Sequence, residues 1–444
     1  MRWPAICGGR QHGCRRETET VTARRAGDTS NAYGVWMRRD RVLAIVQAGG
    51  AGGRMEVLTR ERAKPALPFA GSYQLIDFSM SNLRNSGIED VWLSVQYQAT
   101  SLDDQIANGR SWDLDRDRGG FRLLMPEQGR SPDAEGFAVG NADQLFRIRD
   151  QIADARPELT LVLSSDHVYR FDYFEAIATH RAKGAEATMV TTEVARGEAG
   201  HHATVTVNRL GRVTDFAYKP ARPTTGVVAA EIFVYETGTL IGVLDDLHRE
   251  LTTTATPDSN GLGDFGDHLL PRLVKRGHVY AHPMPGYWRD LGRPETYLAA
   301  HQDLLARDPG LFDDPGWPIV ARLPQRSPPR IHAGSRVEDS LISPGCEVHG
   351  TVHRSVLGPG VVVEKGSRVV DSVVFADVRV REGAKVGWSI VDSGSVVGPR
   401  VRVGAASLRK TPGSEDLTLV GRDCRIAGGT TIARGSRLEP GTTA

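Results

Sequence analysis

The 444-residue sequence predicts an α/β, Rossmann-like domain with a mostly parallel sheet, followed by a left-handed parallel β-helix of six-residue repeats. Three observations carry that expectation. Short strand-like runs, the first of them all apolar, alternate with helix-like stretches through the first two thirds of the chain. Beyond residue 330, apolar residues recur every six positions. Glycine makes up 49 residues, about 11% of the chain against a usual ~7%. Seventeen of those glycines fall in residues 330–444, where Phe375 and Trp388 are the only aromatics.

The elements follow in order. Residues 1–38 mix Arg15, Arg16, Arg24 and Arg25 with small polar residues and show no apolar period, so they read as a disordered extension. Cys7, His12 and Cys14 form at most half a metal site, with no matching second half. Catalytic-domain patterning covers 39–307. Val42 to Val46 is a short apolar run, as a strand buried on both faces requires. It enters a glycine loop, Gly49-Gly50-Ala51-Gly52-Gly53, closed by Arg54. A helix over Leu75–Ser86 precedes strands at Val91–Val95, Leu159–Leu163, Ala187–Val194 and Thr204–Val207. This βαβ rhythm implies a parallel sheet flanked by helices. Residues 308–329 are proline-rich and read as a linker.

In 330–444 the period runs Val374, Val380, Val386; then Val391, Val397, Val403; then Val420, Ile426, Ile432, Leu438. Six residues fit neither a helix nor an amphipathic strand. They fit one side of a triangular coil with one aliphatic residue turned inward. Residues 405–418 break the period and are expected to form an external loop.

Composition narrows the function. Lys+Arg number 55 against 54 Asp+Glu, a net charge of +1, which argues against a nucleic-acid binder. Four scattered cysteines fit a reducing cytoplasm and exclude a disulfide scaffold. No stretch of 18 apolar residues suggests a membrane span.

The glycine loop lets backbone N–H groups approach phosphates, and Arg54 adds a permanent cation. It is not a Walker loop, because no Lys-Ser/Thr follows. Asp77 is spaced either for a dinucleotide ribose or for a helix cap.

Further blocks run in order: Arg62-Ala63-Lys64-Pro65, Gln96-Tyr97, Gly140-Asn141-Ala142-Asp143, Ser165-Asp166-His167, Tyr218-Lys219-Pro220 and Gly286-Tyr287-Trp288-Arg289-Asp290. Together they resemble the sugar-1-phosphate nucleotidyltransferases, and among these the ADP-glucose pyrophosphorylases. The resemblance spans residues 41 to about 404 and includes the β-helix. It implies ATP and a sugar 1-phosphate as substrates, Mg²⁺ as cofactor, and a homotetramer with allosteric control. By position in these motifs, Arg54 and Lys64 meet the ATP phosphates, and Asp166 and Asp290 hold the metal. Gly49, Gly50 and Gly52 cradle phosphate, and Lys219 holds the sugar phosphate. Gln128 either faces adenine or is a surface glutamine. Gly140 and Asp143 lie near the nucleotide, unless Asp143 caps the helix that follows.

The sequence departs from the family on the sugar side. A phenol, Tyr218, precedes Lys219 where a carboxylate is usual, and Thr204, Ala229-Ala230 and Ser165 replace smaller or different residues. Glu231 is a candidate to restore the carboxylate. These changes imply a shift in sugar or nucleotide preference. Two other readings remain: a catalytically weak regulatory subunit, and acyl transfer using His349 and His353 of the β-helix.

Overall fold

A computed structural model describes residues 41–50, 52–126, 137–254, 261–306, 309–405 and 413–444. The extension 1–38, with Cys7, His12 and Cys14, and the candidate Gln128 lie outside the described residues.

Apolar patterning dictates the first layer. Strand β1 (Val42–Ala48) is buried along almost its whole length. It pairs in parallel with β2 (Asp90–Val95) and with β4 (Leu159–Ser164), and β2 pairs in parallel with β3 (Gly120–Leu124). Strand β9 (Val227–Glu236) runs antiparallel to β4 and to β6 (Ala187–Glu193). The sheet is completed by β7 (Ala203–Val207) and β8 (Val213–Tyr218) beyond β9, and by β10 (Val279–Pro283) alongside β6. A separate ribbon pairs β5 (His167–Tyr169) with β11 (Trp288–Asp290), setting Asp290 opposite His167. Two apolar clusters line the two sides of the main sheet. One includes Ala44, Val46 and Tyr173 of α3 (Tyr173–Lys183). The other includes Leu43, Ile45, Leu145 of α2 (Asn141–Arg147), and Leu240 and Leu244 of α4 (Thr237–Thr254). Alternate residues of β1 thus feed opposite cores, as a strand covered on both faces requires.

The expected helix at 75–86 forms as α1 (Leu75–Asn85). Asp77 is fully buried in it and accepts the Gln74 backbone N–H at 2.7 Å and Gln105 Nε2 at 2.7 Å. It is therefore the helix cap and not a ribose ligand, and burial raises its pKa to about 7. The proline-rich stretch is packed against α1. Val320 accepts from Trp112 Nε1 and Ser81 Oγ, and Pro318 from Asn85.

The β-helix has three parallel sheets of six strands each. Its interior is a column of aliphatics, among them Val348, Val363, Val380 and Val397 on one side. Rung spacing corrects the simple six-residue repeat. Val363, Val380 and Val397 pair at steps of 17 residues, because Val386 to Val391 is one residue short at one corner. A longer step, Val397 to Ile426, absorbs the period break. The described end of that loop, Ser414–Asp416, is a short helical turn.

A third apolar cluster joins the two folds. Met55, Leu58, Phe69, Val168, Leu291 and Tyr297 on the catalytic side meet Val356, Phe375, Trp388 and Leu419 of the β-helix. Arg62 adds a buried ion pair to Asp392 at 2.7 Å. Met55, Val168 and Leu291 lie next to the glycine loop, Asp166-His167 and Asp290 respectively, so the β-helix wall backs the candidate site.

His301, in α5 (Pro294–Ala306), sits at this junction and is 1% exposed. Its Nδ1 faces the Tyr297 carbonyl at 2.9 Å and its Nε2 accepts the Ala70 N–H at 3.2 Å, so the ring is neutral. Burial lowers its pKa to about 4. In the unfolded chain histidine protonates near 6.5, so the stability contribution is present above that value and is lost as pH falls through about 4. One group with this shift contributes on the order of 3 kcal/mol across the window. Thermal unfolding followed from pH 7.5 to 4.5 should show this loss, with a shallower slope in His301→Gln. Equal slopes would refute the assignment.

Among the described residues, no helix is long and apolar enough to cross a membrane.

Candidate active site

The carboxyl ends of β1 and β4 open onto a cleft of about 340 Å³, the position open α/β sheets reserve for ligands. Its floor is the glycine loop. A Cβ at Gly49 would lie 2.7 Å from Gln96 Nε2 and 2.8 Å from Gln144 Nε2, so any side chain there would have to displace both amides. Gly52 has φ 67°, the left-handed region glycine enters freely. Its carbonyl accepts Thr59 Oγ1 at 2.8 Å, which ties the loop back on itself. Gly49, Gly50, Arg54 and Lys64 all line the cleft, whereas Gly52 turns the loop from behind.

Two carboxylates meet above this floor. Asp166 lies in the turn between β4 and β5, and Asp290 ends β11. Lys64 Nζ donates to Asp166 Oδ2 and lies 3.6 Å from Asp290 Oδ1. Ser164 Oγ donates to Asp166 Oδ1. His167 Nε2 stands 3.5 Å from Asp166 and 3.7 Å from Asp290. Burial works against ionising either carboxylate, but the Lys64 and His167 charges outweigh it and hold both pKa values below the ordinary range. Burial likewise opposes the Lys64 charge, and Asp166 and Asp290 outweigh it, so that pKa is raised.

Asp166, His167 and Asp290 offer ligand atoms within 4.8 Å of one another. Asp290 Oδ1 is buried without a hydrogen-bond partner. A buried hard oxygen left unpaired suits a divalent cation, so these residues fit one. His332, Glu347 and His349 also cluster, but the His332 and His349 rings stack at 3.8 Å and 12°. Their in-plane lone pairs run side by side and do not converge on one ion.

The far wall carries Tyr218, Lys219 and Glu231. Tyr218 donates its hydroxyl hydrogen to Asp264 at 2.8 Å, and Lys219 Nζ donates to the Tyr218 oxygen at 2.6 Å. Glu231 lies in a bulge of β9, where the register shifts, at φ 56°. This aims it at the carboxylate pair, with His167 Nε2 at 3.8 Å. Burial, together with Asp166 and Asp290, raises its pKa. Tyr218, Lys219 and Glu231 all line the cleft. Of the other departures, Ser165 lines the cleft, whereas Thr204, Ala229 and Ala230 stand outside its described lining. Thr204 is buried in the sheet with its hydroxyl on the Ala217 carbonyl, Ser165 Oγ points back to the Gln47 carbonyl, and Ala229 and Ala230 are core residues.

Gly140 lines the cleft with φ 92°. A Cβ there would strike the Gly263 backbone at 2.2 Å. Asp143 is turned away. It accepts the Val139 N–H at 2.9 Å and pairs with Arg147 at 2.9 Å, and it is absent from the described cleft lining. Residues that sequence reasoning did not single out include His167, Ser164, Gln47, Gln144 and Asp264. His167 stood in the Ser-Asp-His block. Asp264 had no local signal beyond Asp-Phe-Gly. A second recess of about 480 Å³ shares Arg54 and contains Asp290, His202 and Arg293.

A phosphate-cradling glycine loop, converging cations and a carboxylate pair define a phosphoryl- or nucleotidyl-transfer centre on an α/β sheet. The chain belongs to the nucleotidyl transferase family, whose profile matches residues 43–307. A GlmU-like, C-terminal hexapeptide profile matches residues 329–412, in keeping with the left-handed β-helix. A glucose-1-phosphate adenylyltransferase of Desulforamulus reducens is 32% identical over 407 residues, covering 90% of this chain and 99% of its own. Proteins of the same name from Bacillus cytotoxicus and Bacillus cereus (strain Q1) are each 34% identical, over 390 and 386 residues. Both alignments cover 86% of this chain, with 99% and 98% of the relatives.

Proposed function

We propose that the chain transfers the adenylyl group of ATP to glucose 1-phosphate, forming ADP-glucose and pyrophosphate for α-glucan synthesis. The observation that carries this reading is the convergence of Asp166 and Asp290 on Lys64 beside the glycine loop, in a chain whose near-full-length relatives bear that activity in their names. A phosphate oxygen of glucose 1-phosphate attacks the α-phosphorus of ATP. The bond from that phosphorus to the bridging oxygen of the β-phosphate breaks, and pyrophosphate leaves with the electron pair. Little covalent work falls to the protein, so positioning and charge neutralisation supply the rate.

Gly49 and Gly50 offer close backbone approach to the triphosphate. Arg54 and Lys64 neutralise charge that grows on the departing pyrophosphate. Lys219, steadied by the Tyr218 oxygen, holds the sugar phosphate. Asp166 and Asp290 would hold Mg²⁺, which would supply charge neutralisation to the reacting phosphates. Glu231 accepts sugar hydroxyls in place of the carboxylate that Tyr218 displaces. His167 braces the carboxylate pair through the Ala230 carbonyl at 3.3 Å. We place this enzyme in the cytoplasm.

A second reading concerns preference. Tyr218 is committed to Asp264, so the sugar meets a phenol and a bulge carboxylate. Purified protein tested with a panel of sugar 1-phosphates and nucleoside triphosphates, with products identified by mass, separates the two readings. Glucose 1-phosphate with ATP should give the highest kcat/KM. A different pair winning by an order of magnitude would replace the assignment.

A further inference from the structure

Glu56 lies two residues beyond Arg54 in the turn Gly53–Thr59, with φ 54° and ψ −127°. A non-glycine residue keeps that conformation only where the surroundings hold it. Here the holder comes from the other end of the chain. Arg437, in the last rung of the β-helix, donates Nε–H to Glu56 Oε2 and Nη2–H to Oε1 at 3.2 Å, a two-pronged pair. Its remaining hydrogens go to the carbonyls of Ser414 at 2.7 Å, Gly435 at 2.9 Å and Leu417. The guanidinium therefore knots three things together: the final rung, the inserted turn Ser414–Asp416, and the kink that follows Arg54. Nearby, Arg60 pairs with Glu439 at 3.1 Å, but that pair is exposed and weakly coupled to the loop.

We propose that Arg437 is a positioning residue for nucleotidyl transfer. It clamps Glu56 so that the strained turn presents Arg54 and the glycine loop to the ATP phosphates. The inference rests on the adenylyl-transfer reading for its kinetic form. The clamp acts on the triphosphate side only, because Lys219, just after β8, and Glu231, on β9, make no contact with Arg437 among the described hydrogen bonds and ion pairs.

The test is steady-state kinetics of the full chain with Arg437→Ala, Arg437→Lys, Glu56→Gln and the double variant Arg437→Ala/Glu56→Gln. A displaced phosphate loop costs about 10- to 100-fold in kcat/KM for ATP. The KM for glucose 1-phosphate should stay near the wild-type value. Arg437→Lys should recover part of the loss, and the double variant should be no worse than the worse single. An Arg437→Ala protein with unchanged kcat/KM for ATP, an equal loss on both substrates, or additive losses in the double variant would each overturn the clamp. If Arg437→Ala does not fold, Glu56→Gln decides by the same criteria. A wild type that forms no product fails the functional reading instead. The Kd for Mg-ATP, by equilibrium titration of wild type and Glu56→Gln, then decides the clamp, and equal values overturn it.

Discussion

Asp290→Ala is expected to lower kcat on the order of 10³-fold while changing the Kd for ATP only a few-fold. The reasoning is local. Asp290 ends β11, opposite His167 on β5, and its Oδ1 is a buried acceptor without a hydrogen-bond partner. Removing the carboxylate would take away one of the two carboxylates proposed to hold the metal but leave the glycine loop and Arg54 intact. The triphosphate should therefore still bind, while the reacting phosphates would lose the charge neutralisation that a divalent cation held there would supply. The fold should survive, since the core residue next to it, Leu291, is untouched. Unchanged kcat in a folded Asp290→Ala protein would remove this residue from the metal site.

Lys64→Met should be the other severe variant, and its signature differs. Lys64 is 7% exposed and is the countercharge that Asp166 and Asp290 share. Deleting one member of a buried ion cluster leaves uncompensated charge, at a cost of about 3–5 kcal/mol. Without the lysine the two carboxylates repel each other and attract a cation more strongly. Two results follow. Tm in chelator should fall below that of the wild type, and the gain in Tm on adding Mg²⁺ should exceed the wild-type gain. Activity should fall about 10²-fold or more even with metal restored, because the phosphates lose a cation. A Mg²⁺-induced gain no larger than that of the wild type would show that Lys64 does not counterbalance the metal ligands.

Much of this was legible in the sequence for physical reasons. Strands β1, β2 and β4 are buried on both faces, so they appear as short, largely apolar runs. The β-helix interior imposes one aliphatic residue per side, so its period survives in the text of the chain even where one corner loses a residue. Arg54, Lys64, Asp166, Lys219 and Asp290 stand in compact local blocks; the first four line one cleft, and Asp290 reaches Lys64 from the adjoining recess. Other features depend on facing and distance, which spacing does not encode. Thr204 and Ala229-Ala230 looked like pocket residues, yet register turns them into the sheet. Asp143 matched a nucleotide motif, yet its carboxylate is spent on Val139 and Arg147. Glu231 reaches the carboxylates only because β9 bulges. The pairing of Glu56 with Arg437 spans 381 residues and leaves no local trace.

The central claim is that this carboxylate-paired cleft joins an adenylyl group to glucose 1-phosphate. The most direct measurement follows pyrophosphate and ADP-glucose together, from ATP and glucose 1-phosphate with Mg²⁺, in wild type and Asp166→Asn. The account predicts equimolar products from the wild type and a rate on the order of 10³-fold lower in the variant. Either no pyrophosphate from the wild type, or release that survives in Asp166→Asn, would contradict it.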